Sequence, residues 1–187
     1  MLELPAWPVA VPLEGPRLRL EPLRVAHAEE ALVFLADVRL HTYIGGTPPT
    51  RGELERRHRR QSAGHSPDRT QGWLNWMLRR HTDGKLVGTV QATLTRTDGP
   101  RAPEAEPATE LEAELAWVVG HAFQGNGYAK EGAAAMTHWL RDQGISPLTA
   151  HVHPDNHASA AVAEALGLHP TGTLHDGERH WTDATPP

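Results

Sequence analysis

The alternation of apolar and polar residues divides the chain into short strands and amphipathic helices. Short segments that alternate, or that are apolar and rich in β-forming residues, predict strands and hairpins at 17–23, 73–78, 86–94, 115–120, 148–153 and 171–181. Apolar residues at helical spacing predict helices at 27–40, 50–63, 128–140 and from Asn156 to a stop at Gly167. Asp83-Gly84 predicts a tight turn between the second and third strands.

The segment 115–153 reads as strand, helix and strand, so its two strands are predicted to run parallel in a right-handed βαβ unit. A turn with Gly125 and Gly127 joins the first strand to the helix, and glycine allows a ligand to approach the main chain closely. The amides of this turn are expected to point outward at the positive end of the helix, where phosphate binds well. A third glycine two residues on, as in a dinucleotide motif, is missing, and no Walker sequence occurs.

Two segments are predicted to lie outside the packed elements. Residues 1–14 hold Pro5, Pro8 and Pro12 and predict an N-terminal arm on the surface, so that 15–187 form a single domain. Residues 96–109 are crowded with Pro, Ala and Glu and predict a long mobile loop. Its role is open between a lid over a cleft and a tolerated insertion.

Composition narrows the class of protein. The formal net charge of -5 argues against a general nucleic-acid binder. The absence of cysteine excludes disulfides, thiolate nucleophiles and cysteine-based zinc sites, and it fits a cytoplasmic location. The first 13 residues lack a basic leader, and no apolar run approaches the roughly 20 residues of a membrane helix, so neither a signal peptide nor a membrane span is expected.

The helix at 50–63 is polar nearly all round and carries five arginines: Arg51, Arg56, Arg57, Arg59 and Arg60. One interpretation is a basic surface for RNA or an acidic peptide. The other is a solvated helix whose Glu53 and Glu55 offset part of the charge.

A family resemblance adds to this reading. Gln124-Gly125-Asn126-Gly127-Tyr128-Ala129 resembles Gln/Arg-x-x-Gly-x-Gly/Ala, the acetyl-CoA signature of the GNAT superfamily of N-acetyltransferases. "DGKLVGTVQATL" and "HPDNHASAAVAEALGL" are similar to its central hairpin and last motif. "RLRLEPL…AHAEEALVFLADV" looks like the start of its ribosomal-protein-serine/alanine N-acetyltransferase branch. The resemblance covers 15–182.

The resemblance implies an α/β (α+β) fold. In the GNAT fold a mixed, mostly antiparallel sheet of six to seven strands holds a splayed central parallel pair, flanked by about four helices. It also implies acetyl-CoA (coenzyme A) as co-substrate, without a metal. The cofactor-binding residues it implies are Trp117, Val118 and Val119 for the pantetheine, Gln124, Gly125, Asn126, Gly127, Tyr128 and Ala129 for the pyrophosphate, and Asn156.

An amine that attacks the thioester directly needs no enzyme nucleophile, but a base helps to remove its proton. Ala113-Glu114-Leu115-Ala116-Trp117 is similar to the Ala-Glu-Ile-Gly-Tyr of related enzymes, so the resemblance implies Glu114 as the candidate base, through water. The alternative is a strand-edge carboxylate with no role. The resemblance implies a tyrosine acid four residues before Gly167, and this chain has Ala163 there. Ser159 is similar to the serine of the ribosomal-protein branch and could donate a hydrogen bond to sulfur. The alternatives are that the thiolate leaves with little help, or that Ser159 is a helix residue without a chemical role.

Several functions stay open at this stage. The first is N-acetyl transfer to a primary amine, either a protein N-terminus or a small molecule. The alternatives are a non-catalytic acyl-CoA-binding sensor, which the missing tyrosine favours, and an RNA-associated module, which the arginines favour. His151-x-His153 with His157 could hold a metal or tune proton flow, and the second is favoured. A homodimer is common among relatives, and the acceptor is not encoded in any recognisable motif.

Overall fold

The computed structural model describes residues 6–97 and 110–185. Within these ranges one sheet contains the strands β1 (Leu13–Glu14), β2 (Leu18–Pro22), β3 (Gln71–Arg80), β4 (Leu86–Thr97), β5 (Glu110–Val119), β6 (Leu148–Val152), β7 (His169–His175) and β8 (Glu178–Thr182). The α-helices there are α1 (Ala28–Leu35), α2 (His41–Ile44), α3 (Arg51–Gln61), α4 (Tyr128–Asp142) and α5 (His157–Ala165).

The strands lie in the order β1-β2-β3-β4-β5-β6-β8-β7. Every neighbouring pair is antiparallel except β5 and β6, which confirms the predicted mixed sheet with one parallel pair. The sheet has eight strands rather than six or seven. The additional strand is the two-residue β1, which pairs with Arg19 and Leu20 of β2.

Most predicted elements are confirmed, with one helix shorter than expected. The segment predicted as a helix over 27–40 is α-helical only to Leu35, because the Asp37 carboxylate accepts the Arg39 amide and starts a separate 3-10 turn at Val38–Leu40. Thr50 caps α3 in a reciprocal pair with Glu53. The predicted loop 96–109 falls mostly on 98–109, outside the described residues.

Alternate residues of the sheet serve two separate cores. Val90, Ala92 and Leu115 face the larger core, which α4 and α5 cover with Met136, Leu140 and Val162 among others. Met77 and Leu86 face a smaller core with Phe34 of α1 and Leu54 of α3. The polar residues Thr89 and Gln91 of β4 lie on this second face, between the sheet and α3.

The described part of the predicted arm lies against the sheet. Trp76 is fully buried and donates its indole N–H to the Val11 carbonyl at 2.7 Å. The indole of Trp7 packs on Gly72, with the Arg96 guanidinium 3.7 Å from its ring centre. The division into an arm and a single domain stays a prediction.

Candidate active site

The parallel strands β5 and β6 separate after three residues. Ala113, Glu114 and Leu115 pair with Leu148, Thr149 and Ala150, and no pairing follows. Beyond this point β5 stays with β4 as far as Val119, and β6 stays with β8 as far as Val152. A cleft of about 320 Å³ opens where they part, lined by Thr89, Gln91, Glu114, Leu115, Ala116, Trp117, Val118, His151, Val152, His153, Asn156, Ser159 and Glu178.

Backbone groups of β5 point into this cleft. The Ala113 amide donates to the Pro147 carbonyl at 3.1 Å, so every second residue from Ala113 turns its backbone toward β6. Trp117 and Val119 are the members of this set that lie beyond the paired region. Val118 belongs to the other set and pairs with Thr89 of β4, so it meets the cleft only with its side chain.

The glycine turn ends at the N-terminus of α4. Gly125 has φ 77° and Gly127 has φ 78°, which are left-handed conformations that side chains disfavour. Gly127 is the N-cap of α4 and no side chain caps the helix there. The six consecutive amides of residues 125–130 have no acceptor among the described residues. They lie at the positive end of a 15-residue helix, an arrangement that favours an anion.

An ion pair from the start of the chain braces this turn. The Arg17 guanidinium donates to the Glu131 carboxylate at 2.7 Å and to the Asn126 carbonyl at 2.9 Å. Glu131 also accepts the Arg17 backbone amide at 2.7 Å. Sequence reasoning missed both residues, because no local pattern connects positions so far apart in the chain.

The polar side chains of the predicted signature make hydrogen bonds that stabilise the turn. Gln124 donates to the Val119 carbonyl at 3.1 Å, which leaves Val119 with a free amide on the cleft side. Asn126 donates to the Phe123 and Gln124 carbonyls at 3.0 and 3.1 Å. The ring of Tyr128 is buried, and its hydroxyl accepts from Arg80 at 3.3 Å.

The start of α5 lies across the cleft. Asn156 caps this helix by accepting the Ser159 amide at 3.1 Å, and both residues line the cleft. The Ser159 hydroxyl bonds to no other described residue. Ala163, the position where the resemblance implied a tyrosine, is fully buried in the larger core and is not among the residues that line the cleft.

Glu114 and His151 meet on the cleft face of the sheet. The Glu114 carboxylate lies 3.6 Å from His151 Nδ1, and their side chains are 58% and 22% exposed. The rings of His180 and His175 lie 5.2 and 5.8 Å from that of His151. Burial, followed by the charge of His151, lowers the pKa of His180, while Glu114 and Glu112 act in the opposite direction.

Across residues 6–97 and 110–185, no group of three or more His, Asp or Glu side chains is arranged to hold a metal ion. A second cavity, of about 130 Å³, lies between the sheet and α3. Thr89, Gln91 and Val118 line both this cavity and the cleft, so the two spaces adjoin.

The family model described as "Acetyltransferase (GNAT) domain" matches residues 17–169, which is most of the chain. The chain belongs to the GNAT acetyltransferase family. Members of this family generally use acetyl-CoA and act on amine acceptors. The expected GNAT fold is thereby confirmed, with the parallel pair where the resemblance implied it.

Solved structures and a curated protein resemble this GNAT chain over different lengths. An acetyltransferase from Agrobacterium tumefaciens str. C58 is 26% identical with a TM-score of 0.66, covering 98% of this chain and 99% of that one. Two further solved structures share the fold at 17% sequence identity. An acetyltransferase (GNAT family) from Bacillus anthracis has a TM-score of 0.67, covering 92% of this chain and 97% of that one. A candidate ribosomal-protein-serine acetyltransferase from Vibrio cholerae has a TM-score of 0.64, covering 92% of this chain and 96% of that one.

YkkB of Bacillus subtilis (strain 168) is 29% identical over 110 residues, or 56% of this chain. The chain spans 63% of the length of that curated relative. Among the described residues, no helix is long and apolar enough to cross a membrane.

Proposed function

We propose that this GNAT protein transfers the acetyl group of acetyl-CoA to a primary amine by direct attack of the amine on the thioester. The observation that carries the proposal is the separation of β5 from β6 after three residue pairs, with an uncapped helix N-terminus at the end of the cleft. An extended pantetheine arm fits the first feature and a pyrophosphate fits the second.

The cofactor has a route along these groups. The pantetheine amides would pair with the backbone of Trp117 and the amide of Val119, as an added strand does. The pyrophosphate would accept from the amides of Gly125 to Ala129, held in place by the side chains of Gln124 and Asn126. Asn156 would meet the cofactor from α5. Val118 would contact the pantetheine with its side chain, because its backbone pairs with β4.

Glu114 and His151 supply the base in this proposal. The attacking amine must be neutral, and reference pKa values near 8 for an α-amine and near 10.4 for a lysine mean that most of it is protonated at neutral pH. The carboxylate, through water or through His151, would take the proton as the nitrogen bonds to the carbonyl carbon. A backbone amide of β5 that faces the cleft and is not paired with the pantetheine would donate to the oxyanion.

The departing thiolate has less help. Ser159 lines the cleft and its hydroxyl is free to donate a hydrogen bond to sulfur, with water as the source of the proton. A thiolate leaves readily because the reference pKa of a thiol is near 8.5. Loss of the family's tyrosine therefore does not prevent turnover.

The test is release of free CoA thiol from acetyl-CoA with a panel of primary amines. We expect Glu114→Gln to lower kcat/KM roughly 100-fold at neutral pH and less at alkaline pH, where more amine is already neutral. Glu112→Gln is the matched control on the same strand. Equal losses in both variants would exclude Glu114 as the base.

A non-catalytic acyl-CoA sensor is the second candidate, because Ala163 is buried where the family's acid stands. Coenzyme A binding without thiol release from any amine would favour it. A protein N-terminus as acceptor, a cytoplasmic location and a homodimer are parts of the proposal that need their own measurements.

A further inference from the structure

The cavity under α3 is lined by polar groups that the protein itself leaves unused. The side chains of Arg57, Gln61, Asn75 and Gln91 face this cavity, and none of them bonds to another residue within 6–97 or 110–185. Asn75 is 8% exposed. Arg57, Gln61 and Gln91 are half-buried. Polar groups withdrawn from water usually find partners inside the protein, so four unpaired ones around one space point to a ligand that supplies them.

Arg57 differs from the other arginines of its helix. Arg56, Arg59 and Arg60 are exposed, whereas Arg57 is half-buried against the cavity and has no carboxylate partner in the described part of the chain. Desolvation, followed by the charge of Arg60, lowers the pKa of Arg57. An unpaired, partly desolvated cation destabilises the empty protein, and an anion in the cavity would relieve that cost.

His58 provides a second, independent observation of a polar atom without a hydrogen-bond partner at this cavity. It lines the same cavity, is 3% exposed, and its Nδ1 atom is buried without a hydrogen bond. Leu23, Leu35 and Met77 complete the wall with apolar surface. The space therefore combines one cation, several amides and a hydrocarbon lining.

We propose that this cavity is an acceptor subsite for a carboxylate, so that the preferred substrate is a small primary amine that also carries a carboxylate group bound by Arg57. The inference rests on the proposed acetyl transfer. Thr89, Gln91 and Val118 line both the cavity and the cleft, so a molecule with its carboxylate at Arg57 can extend toward the thioester.

A carboxylate fits these groups better than a bulkier anion. The planar guanidinium matches a carboxylate through two parallel hydrogen bonds, and the amides of Gln61, Asn75 and Gln91 can donate to the same oxygens. At about 130 Å³ the cavity holds a carboxylate with a few methylene groups. The apolar wall suits those methylene groups.

The test compares straight-chain ω-amino acids, from glycine to ω-aminohexanoate, with their carboxamides as acceptors. We expect wild type to prefer the carboxylate at one or two chain lengths by roughly ten- to hundredfold in kcat/KM, the range of a charge-assisted hydrogen bond. Arg57→Gln should abolish the preference by raising KM for the carboxylate far more than KM for the carboxamide. Arg59→Gln, on the exposed face of α3, should keep the preference.

Arg57→Lys provides a second variant that retains the charge but cannot donate two parallel hydrogen bonds to a carboxylate. We expect it to have an intermediate preference for the carboxylate over the carboxamide. Equal rates for carboxylates and carboxamides in wild type, or equal losses in Arg57→Gln and Arg59→Gln, would overturn the subsite while acetyl transfer stands. If no amine is acetylated, the proposed function fails. Calorimetric titration of the amino acids into the CoA-loaded protein then tests the subsite separately. Binding that is weakened by Arg57→Gln and not by Arg59→Gln would support the subsite, and absence of binding would refute it.

Discussion

His58 should make the folded protein sensitive to acid. His58 lies on the buried face of α3 and is 3% exposed, and desolvation is the main cause that lowers its pKa from 6.5 to about 4. The charges of Arg57 and His27 act in the same direction, and the Arg24 carbonyl opposes them. The folded protein therefore holds His58 neutral at a pH where the unfolded chain already binds a proton.

The sign and size of the effect follow from linkage. Because the folded pKa lies below the unfolded one, the stability contributed by neutral His58 is complete above about pH 6.5 and declines as the pH falls toward about 4. Each tenfold difference in proton affinity corresponds to about 1.4 kcal/mol, so the full loss is about 3 kcal/mol. That is a large fraction of the stability of an ordinary domain.

Urea unfolding between about pH 7.5 and pH 4.5 measures this loss directly. His58→Leu should lose about 2.5 kcal/mol less free energy of unfolding than wild type over that range. His138→Gln removes a histidine that is 83% exposed and should behave as wild type. His27 is present in all three proteins, so its own burial affects each curve, and only its interaction with His58 is lost in His58→Leu. Parallel pH curves for wild type and His58→Leu would refute the reasoning.

Three further predictions concern the glycine turn and the sheet. Gly127→Ala forces a side chain into φ 78°, so we expect a loss of about 1–2 kcal/mol in stability and weaker coenzyme A binding by calorimetry. Gly84→Ala is the control: it lies at φ 68° in a distant hairpin and should lose stability without a change in coenzyme A binding. A methyl group at Gly88 overlaps a carbonyl oxygen of β5, so thermal melts of Gly88→Ala should show a loss of about 2 kcal/mol or more, and an unchanged Tm would contradict the register. Glu131→Gln weakens the hold of Arg17 on the turn and should reduce coenzyme A affinity several-fold, with unchanged affinity as the contrary result.

The order of the elements was predictable because it depends on local signals. Hydrophobic periodicity, the Asp-Gly turn and the two glycines before α4 each act within a few residues. The extra strand β1 was missed because two residues after a proline carry no alternation to detect. The early end of α1 was missed because the Asp37 cap competes with an apolar periodicity that continues to Leu40.

The candidate site was predictable only where one segment builds it. The turn at Gly125–Gly127 and the cap at Asn156 stand out in the sequence. The brace of Arg17 on Glu131 and the approach of Glu114 to His151 depend on packing between distant segments. Arg57 looked like its neighbours on a polar helix, because nothing local reveals which of several arginines turns toward a cavity. The functional roles of all these residues stay predictions.

The short parallel pairing has a consequence for how the molecule opens. Strands β1 to β5 are neighbours in sequence order, whereas, in the part of the sheet that the structure describes, β6, β8 and β7 join them through the three residue pairs that begin at Ala113 and Leu148. We expect amide hydrogen exchange to be fastest along this seam in the empty protein. Bound coenzyme A would bridge β5 and β6, so the C-terminal strands should gain the most protection from hydrogen exchange when it is present.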